Sequence, residues 1–214
     1  MNLIKSFIFL FPIIFLSLCS YADGGSMSGG GGGNGVICFH TNEETKSSFN
    51  ANGNLNSLDR SNFKSIETLD IWEYRLTTPL FHPINGESPQ NFLRRILQDK
   101  WKPIFPVLVT NLLLQFPMIE ESELRSHPSD ISHEIADYDS IEKDLPINCR
   151  LVGIATRISQ SKLGYKPKVE IRWNLELYDS LGNNPSTNNS TRVINQAAIL
   201  LHELLYIMCN VATH

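Results

Sequence analysis

The chain has 214 residues, with 18 basic against 22 acidic side chains and 42% hydrophobic residues. That length suits one domain able to bury a core of its own. The acidic balance lacks the basic stripe that nucleic acid or an anionic membrane requires, so no nucleic-acid partner is expected.

Met1 to Lys5 make a short, positively charged start, and Phe7 to Leu18 follow as an apolar run. Ser20-Tyr21-Ala22 then offers small residues at the two positions a signal peptidase reads. Residues 1–22 are read as a secretory signal cleaved after Ala22. The run is shorter than the roughly 20 apolar residues of a membrane span. No later stretch reaches that length, so no transmembrane helix is expected in the mature chain. The implied location is the periplasm or the extracellular space. Lipid anchoring at Cys19 would need a small residue before the cysteine, and Leu18 is bulky, which weighs against it. Without residues 1–22 the chain keeps 17 basic and 22 acidic side chains.

Residues 23–35 hold the tract GGSMSGGGGGNG and are expected to be a disordered leader, since glycine at that density cannot offset its backbone entropy. A phosphate-binding loop would need a strand before it and a helix opened by Lys-Ser or Lys-Thr after it, and neither is present. Residues 36–214 are read as a single domain. Val36 to His40 is the first expected strand, and 41–57 an expected loop. From Ser61 to Leu76 the spacing of Phe63, Ile66, Leu69, Trp72 and Leu76 predicts a helix. Ser88-Pro89 is a helix start, a capping serine with proline at the first helical position. A second apolar helix is expected near Val107 to Phe116, and then an acidic loop over 120–144. Ile147 to Ser159 and Lys168 to Trp173 read as strands joined through Leu163-Gly164-Tyr165. Asn174 caps a short helix ended by Gly182. The last helix begins near Ser190. The predicted fold is α+β, a small antiparallel sheet packed by about four or five helices.

Cys38, Cys149 and Cys209 remain after cleavage. Cys38 and Cys149 each lie in a strand-like segment, VICFH and INCRLVGIA, so they are the candidate disulfide in an oxidising compartment. Cys209 reads as a small core residue of the last helix.

Two helices carry the chemical candidates. In AAILLHELLYIMC the terminal helix has His202 and Glu203, with Tyr206 where a zinc-protease helix has its second histidine. The apolar arc leaves a strip of Asn195, Gln196, Ile199, His202, Glu203, Tyr206, Cys209 and Asn210 off the oily side, as in a cleft wall or a half-covered face. On SIETLDIWEYRL the wheel sets Glu73 among apolar neighbours with Asp70 beside it, and such a carboxylate needs a partner or a proton. Candidate partners are His202, Arg95, Arg150, Arg172 or a metal. His202 is the candidate metal ligand, with zinc the metal considered and Glu203 the candidate catalytic base. Further donors would come from Asp70, Glu73, His40 or the acidic loop, whose HPSDISHEIADYD holds His127, His133, Glu134, Asp137 and Asp139. Gly-x-Ser-x-Gly is absent.

The order of motifs resembles a loose group of uncharacterised bacterial secreted proteins. They run from a signal peptide and a Gly-rich GGNG-Val-x-Cys start to a terminal His-Glu-x-Leu-Tyr helix. The matching segments here are GGGNGVICF, TLDIWEYR, NCRLVGIA, VEIRWNLELYDSL and LLHELLY. They span most of residues 31–206, and the connecting segments are not alike. The resemblance implies export and no known activity. The chain ends eight residues after Tyr206, where the group leads one to expect a further helix and any ligand it would bring.

Three functions stay open at this point. One is an exported structural or binding protein with a polar cluster at Asp70, Glu73, His202, Glu203 and Tyr206. The second is a metal-dependent hydrolase-like protein with a degenerate His-Glu-x-x-His helix. The third is an envelope interaction module working through the Gly-rich tether or the acidic loop.

Overall fold

The computed structural model of the protein describes residues 33–48, 63–74, 81–122, 145–160, 168–182 and 189–212. Residues 1–32, including the expected signal segment, the segment 163–165 and nearly all of the acidic stretch lie outside them, and so does the side chain of Cys209.

The fold is α+β. Strands β1 (Asn34–Phe39), β2 (Phe63–Thr68) and β3 (Cys149–Gly153) form an antiparallel sheet in the order β2-β1-β3. Strands β4 (Ala155–Gln160) and β5 (Lys168–Trp173) pair as a separate antiparallel ribbon, with Ala155 opposite Trp173. The helical segments are α1 (Asn42–Ser48), α2 (Leu69–Tyr74), α3 (Pro89–Ile96), α4 (Pro106–Ser122), α5 (Leu175–Ser180) and α6 (Asn189–Ala212). Helix α6 is the centre of the packing and meets α2, α3, α4, α5 and β2.

β1 is apolar along nearly its whole length because both of its faces are covered. Ile37 and Phe39 enter the main core with Phe63, Ile66 and Val152. Val36 and Cys38 join Leu69, Cys149 and Leu151 on the other face. There Cys38 lies directly opposite Cys149, 4.1 Å apart between Cα atoms, and the two form a disulfide. Such a short Cα spacing belongs to the close pairs of an antiparallel ladder.

Residues 63–68 correct the expected helix over 61–76. They form a strand, and helical backbone begins only at Leu69. The pairing passes from Cys38–Ser65 to Phe39–Phe63, so Lys64 is an extra residue, a β-bulge. The bulge turns Phe63 and Ile66 to one face three residues apart, and that spacing imitates a helix. Residues 42–48 are helical where a loop is expected. Thr41 and Glu44 form a reciprocal cap: the Glu44 N–H donates to Thr41 Oγ1 at 3.2 Å and the Thr41 N–H to Glu44 Oε2 at 2.8 Å. The expected strand over 147–159 is broken at Ile154, where the chain leaves the three-stranded sheet for the ribbon. β1 starts at Asn34, ahead of the expected Val36.

The other starts and stops follow local chemistry. Ser88 caps α3 by accepting the Asn91 N–H, with Pro89 in the first turn. After α3 a π-helical turn covers Leu97–Trp101, closed by the Lys102 N–H donating to the Leu97 carbonyl at 2.8 Å. α4 continues through Pro117 to Ser122, past the expected end near Phe116. Asn174 caps α5, and Gly182 follows that helix at φ 68°. The Gly182 N–H donates to the Ile66 carbonyl at 2.8 Å, which ties the end of α5 to β2. Among the described residues no helix is long and apolar enough to cross a membrane.

Candidate functional site

Asn195, Ile199 and Glu203 stand four residues apart, stacked along one face of α6. The first part of this strip is closed to solvent. Asn195, Gln196, Ile199 and Glu203 are all buried, and Glu203 is 0% exposed. These four residues line no open cleft, while His202 and Tyr206 further along the strip are half-covered. A helix enclosed on several sides has no free solvent face, so its polar residues meet other parts of the chain.

Glu203 reaches the residue immediately before β1. Its Oε1 accepts the Gly33 N–H at 2.6 Å. The Gly33 carbonyl in turn accepts the N–H groups of Ile154 at 2.9 Å and Ala155 at 3.0 Å. One glycine thus connects the terminal helix, the start of β1 and the point where the chain changes sheets. A Cβ at Gly33 would lie 2.4 Å from Ile199 Cγ1 and 3.0 Å from Glu203 Oε1, so only glycine permits this approach.

Asn195 makes a similar link one strand over. Its Oδ1 accepts the Thr68 N–H at 2.9 Å, while its Nδ2 donates to the Thr191 carbonyl at 3.0 Å. Gln196 Nε2 donates to the Tyr178 carbonyl at 3.0 Å. These three side chains of α6 therefore satisfy backbone groups where β1, β2 and α5 begin or end, groups that are costly to bury alone. His202 and Tyr206 are half-buried beside this strip, their rings 4.8 Å apart and tilted by 34°.

Of the expected cluster, the described side chains are His202, Glu203 and Tyr206, all on α6. Asp70 and Glu73 lie on the backbone of α2, which packs against α6, but their side chains lie outside the described residues. Two candidate partners are engaged elsewhere. Arg95 Nε donates to Glu87 Oε1 at 2.8 Å and its Nη2 to Glu87 Oε2 at 2.7 Å. Arg150 Nη1 donates to the Cys149 carbonyl at 2.7 Å. His40 is exposed and follows the far end of β1, about 20 Å along the strand from Gly33. Among the described residues no group of three His, Cys, Asp or Glu side chains converges to hold a metal ion. The acidic-loop candidates His127, His133, Glu134, Asp137 and Asp139 lie outside the described residues.

Two carboxylates have displaced acidities. Burial pushes Glu67, on β2, above the usual glutamate range. The Arg95 guanidinium holds Glu87 below it, with help from the Ile84 N–H.

Gly33 and Thr68 had no place among the sequence candidates, and Asn195 appeared only as a member of the strip. The available signal was an amide at 195 within an apolar helix, and a glycine tract that runs directly into a strand. No family model, no curated protein and no solved structure matches the chain.

Proposed function

We propose that the protein is an exported bacterial domain with a structural or binding role, in which the His-Glu helix serves the fold. The carrying observation is the burial of Glu203 against the Gly33 N–H. A general base must come within hydrogen-bond reach of the proton it removes. With no exposed surface and one oxygen committed to a strand backbone, Glu203 is placed to anchor β1. The Cys38–Cys149 bridge is compatible with an oxidising compartment. The order of motifs from GGGNGVICF to LLHELLY supports kinship with the secreted group it resembles.

The test is metal content and melting of the purified exported chain. Protein free of stoichiometric metal, with a melting temperature unchanged in chelator, is the expected result. Stoichiometric zinc that disappears in His202→Ala would overturn the reading in favour of the hydrolase-like alternative. Fractionation of cells expressing the chain with and without residues 1–22 tests export. The expected outcome is cleaved protein outside the cytoplasm only when those residues are present.

A further inference from the structure

Helix α4 buries Val109, Leu112, Phe116 and Ile119 against α6 and β5. Its opposite side is also apolar. Val107 is 73% exposed and Leu114 69%, and Ile104, one turn earlier, is 47% exposed. From Pro103 to Ile119 the chain carries no charged residue. A solvated helix face normally does, and an apolar patch of this kind marks a contact surface.

We propose that this face pairs with the same face of a second copy, α4 against α4, antiparallel. Val107, Asn111, Leu114 and the half-buried Met118, which also packs against the main core, follow the 4-3-4 spacing of a helix–helix seam. A two-fold axis between residues 112 and 113 sets Val107 opposite Met118 of the second copy, and Asn111 opposite Leu114. Every pair is then repeated by symmetry, as an isologous contact requires. The two copies of Asn111 fall within about one turn of each other, close enough for their amides to bond in an otherwise apolar seam.

The charges at the helix ends select the antiparallel arrangement. Asp99, Lys100 and Lys102 precede α4 and leave that end with a net positive charge of one, and Glu120 and Glu121 lie in the last turn of the helix. Antiparallel pairing brings the basic end of one copy to the acidic end of the other, and parallel pairing would oppose like charges. The uncharged centre lets two acidic chains meet without repulsion. A lipid surface would call for basic residues along the whole helix flank. A single helix pair covers less than the roughly 800 Å² per partner of a standard interface, so the dimer is weak and reversible.

Sedimentation velocity of the full exported chain, from about 1 to about 200 µM, brackets the affinities such a contact supports. The expected result is a monomer–dimer equilibrium in the micromolar range. Leu114→Asp should weaken it by at least about tenfold, with its melting temperature unchanged because Leu114 is exposed. Ile147→Asp, at another exposed apolar residue, should leave it as it was. A chain that stays monomeric throughout would overturn the proposal, whether residues 123–144 or a different protein covers the face. Dimers that survive Leu114→Asp would overturn it too.

Discussion

Gly33 and Glu203, 170 positions apart, are joined by a 2.6 Å hydrogen bond from the glycine N–H to the buried carboxylate. The residue that leads into the central strand is thereby held by the last helix. Glu203→Ala removes the acceptor and leaves a void, and should cost about 2–4 kcal/mol. Glu203→Gln keeps an acceptor oxygen and should cost less. Gly33→Ala forces a methyl into Ile199 and should cost about 1–3 kcal/mol. Urea denaturation of the three variants measures this. A Glu203→Ala variant as stable as the parent would remove the strand-anchor role.

Gly182 combines a φ of 68° with a Cβ position only 2.7 Å from the Arg192 Cα. The obstacle is backbone, so it cannot swing aside. Gly182→Ala should lose at least about 1–2 kcal/mol from the left-handed conformation alone, seen as a lower melting temperature. Gly86→Ala is the comparison. It has φ 78° with open space around it, so it should show the conformational cost without the clash.

Thr68 is fully buried, and its Oγ1 has no hydrogen-bond partner among the described residues. Thr68→Val keeps the β-branched shape and removes the stranded hydroxyl. The expected change in unfolding free energy lies between zero and a gain of about 1 kcal/mol. A loss above that size would reveal a partner for the hydroxyl.

The Cys38–Cys149 bridge closes a loop with a sequence separation of 111. Its reduction, or replacement of both cysteines by serine, should destabilise the domain by about 2–4 kcal/mol. Paired denaturation curves with and without reductant check this, and the double variant should be insensitive to reductant.

Glu87 and Glu67 give opposite pH dependences. Glu87 is held below its unfolded value by Arg95, so its contribution is present above the ordinary carboxylate range and is lost as pH falls through the lowered pKa. Glu67 is raised by burial, so its contribution is full below the ordinary range and is lost as pH climbs through the raised pKa. The Glu87 effect should stay under about 1 kcal/mol because water screens the pair. Stability measured from pH 3 to 7 should flatten on its acid side in Glu87→Gln, and Glu67→Gln should be favoured most at neutral pH.

Local chemistry was legible in the chain wherever one residue type decides the backbone. Ser88-Pro89, Asn174 and Gly182 mark helix ends by capping groups or by positive φ, and each stands where its chemistry requires. The cysteine pair was legible because both residues sit in β-rich segments. What misled was periodicity read alone. Phe63 and Ile66 share a face through a bulge, which no wheel represents, and Thr41-x-x-Glu44 was a capping signal inside a polar segment. The His-Glu strip stands out in the chain because no lysine or arginine follows Arg192. Its burial depended on which elements surround α6, and that is a property of the assembled fold.

The middle position of β1 has a bearing on how the domain comes into being. Its neighbour β3 lies more than a hundred residues downstream, and the helix that grips Gly33 comes last of all. A chain produced from its amino end therefore offers an unfinished sheet until almost everything has emerged. Contacts so distant in sequence make for slow acquisition of structure. Proteolytic trimming of the carboxy-terminal helix should release the opening strand as well, and the two ends should gain or lose hydrogen-exchange protection together.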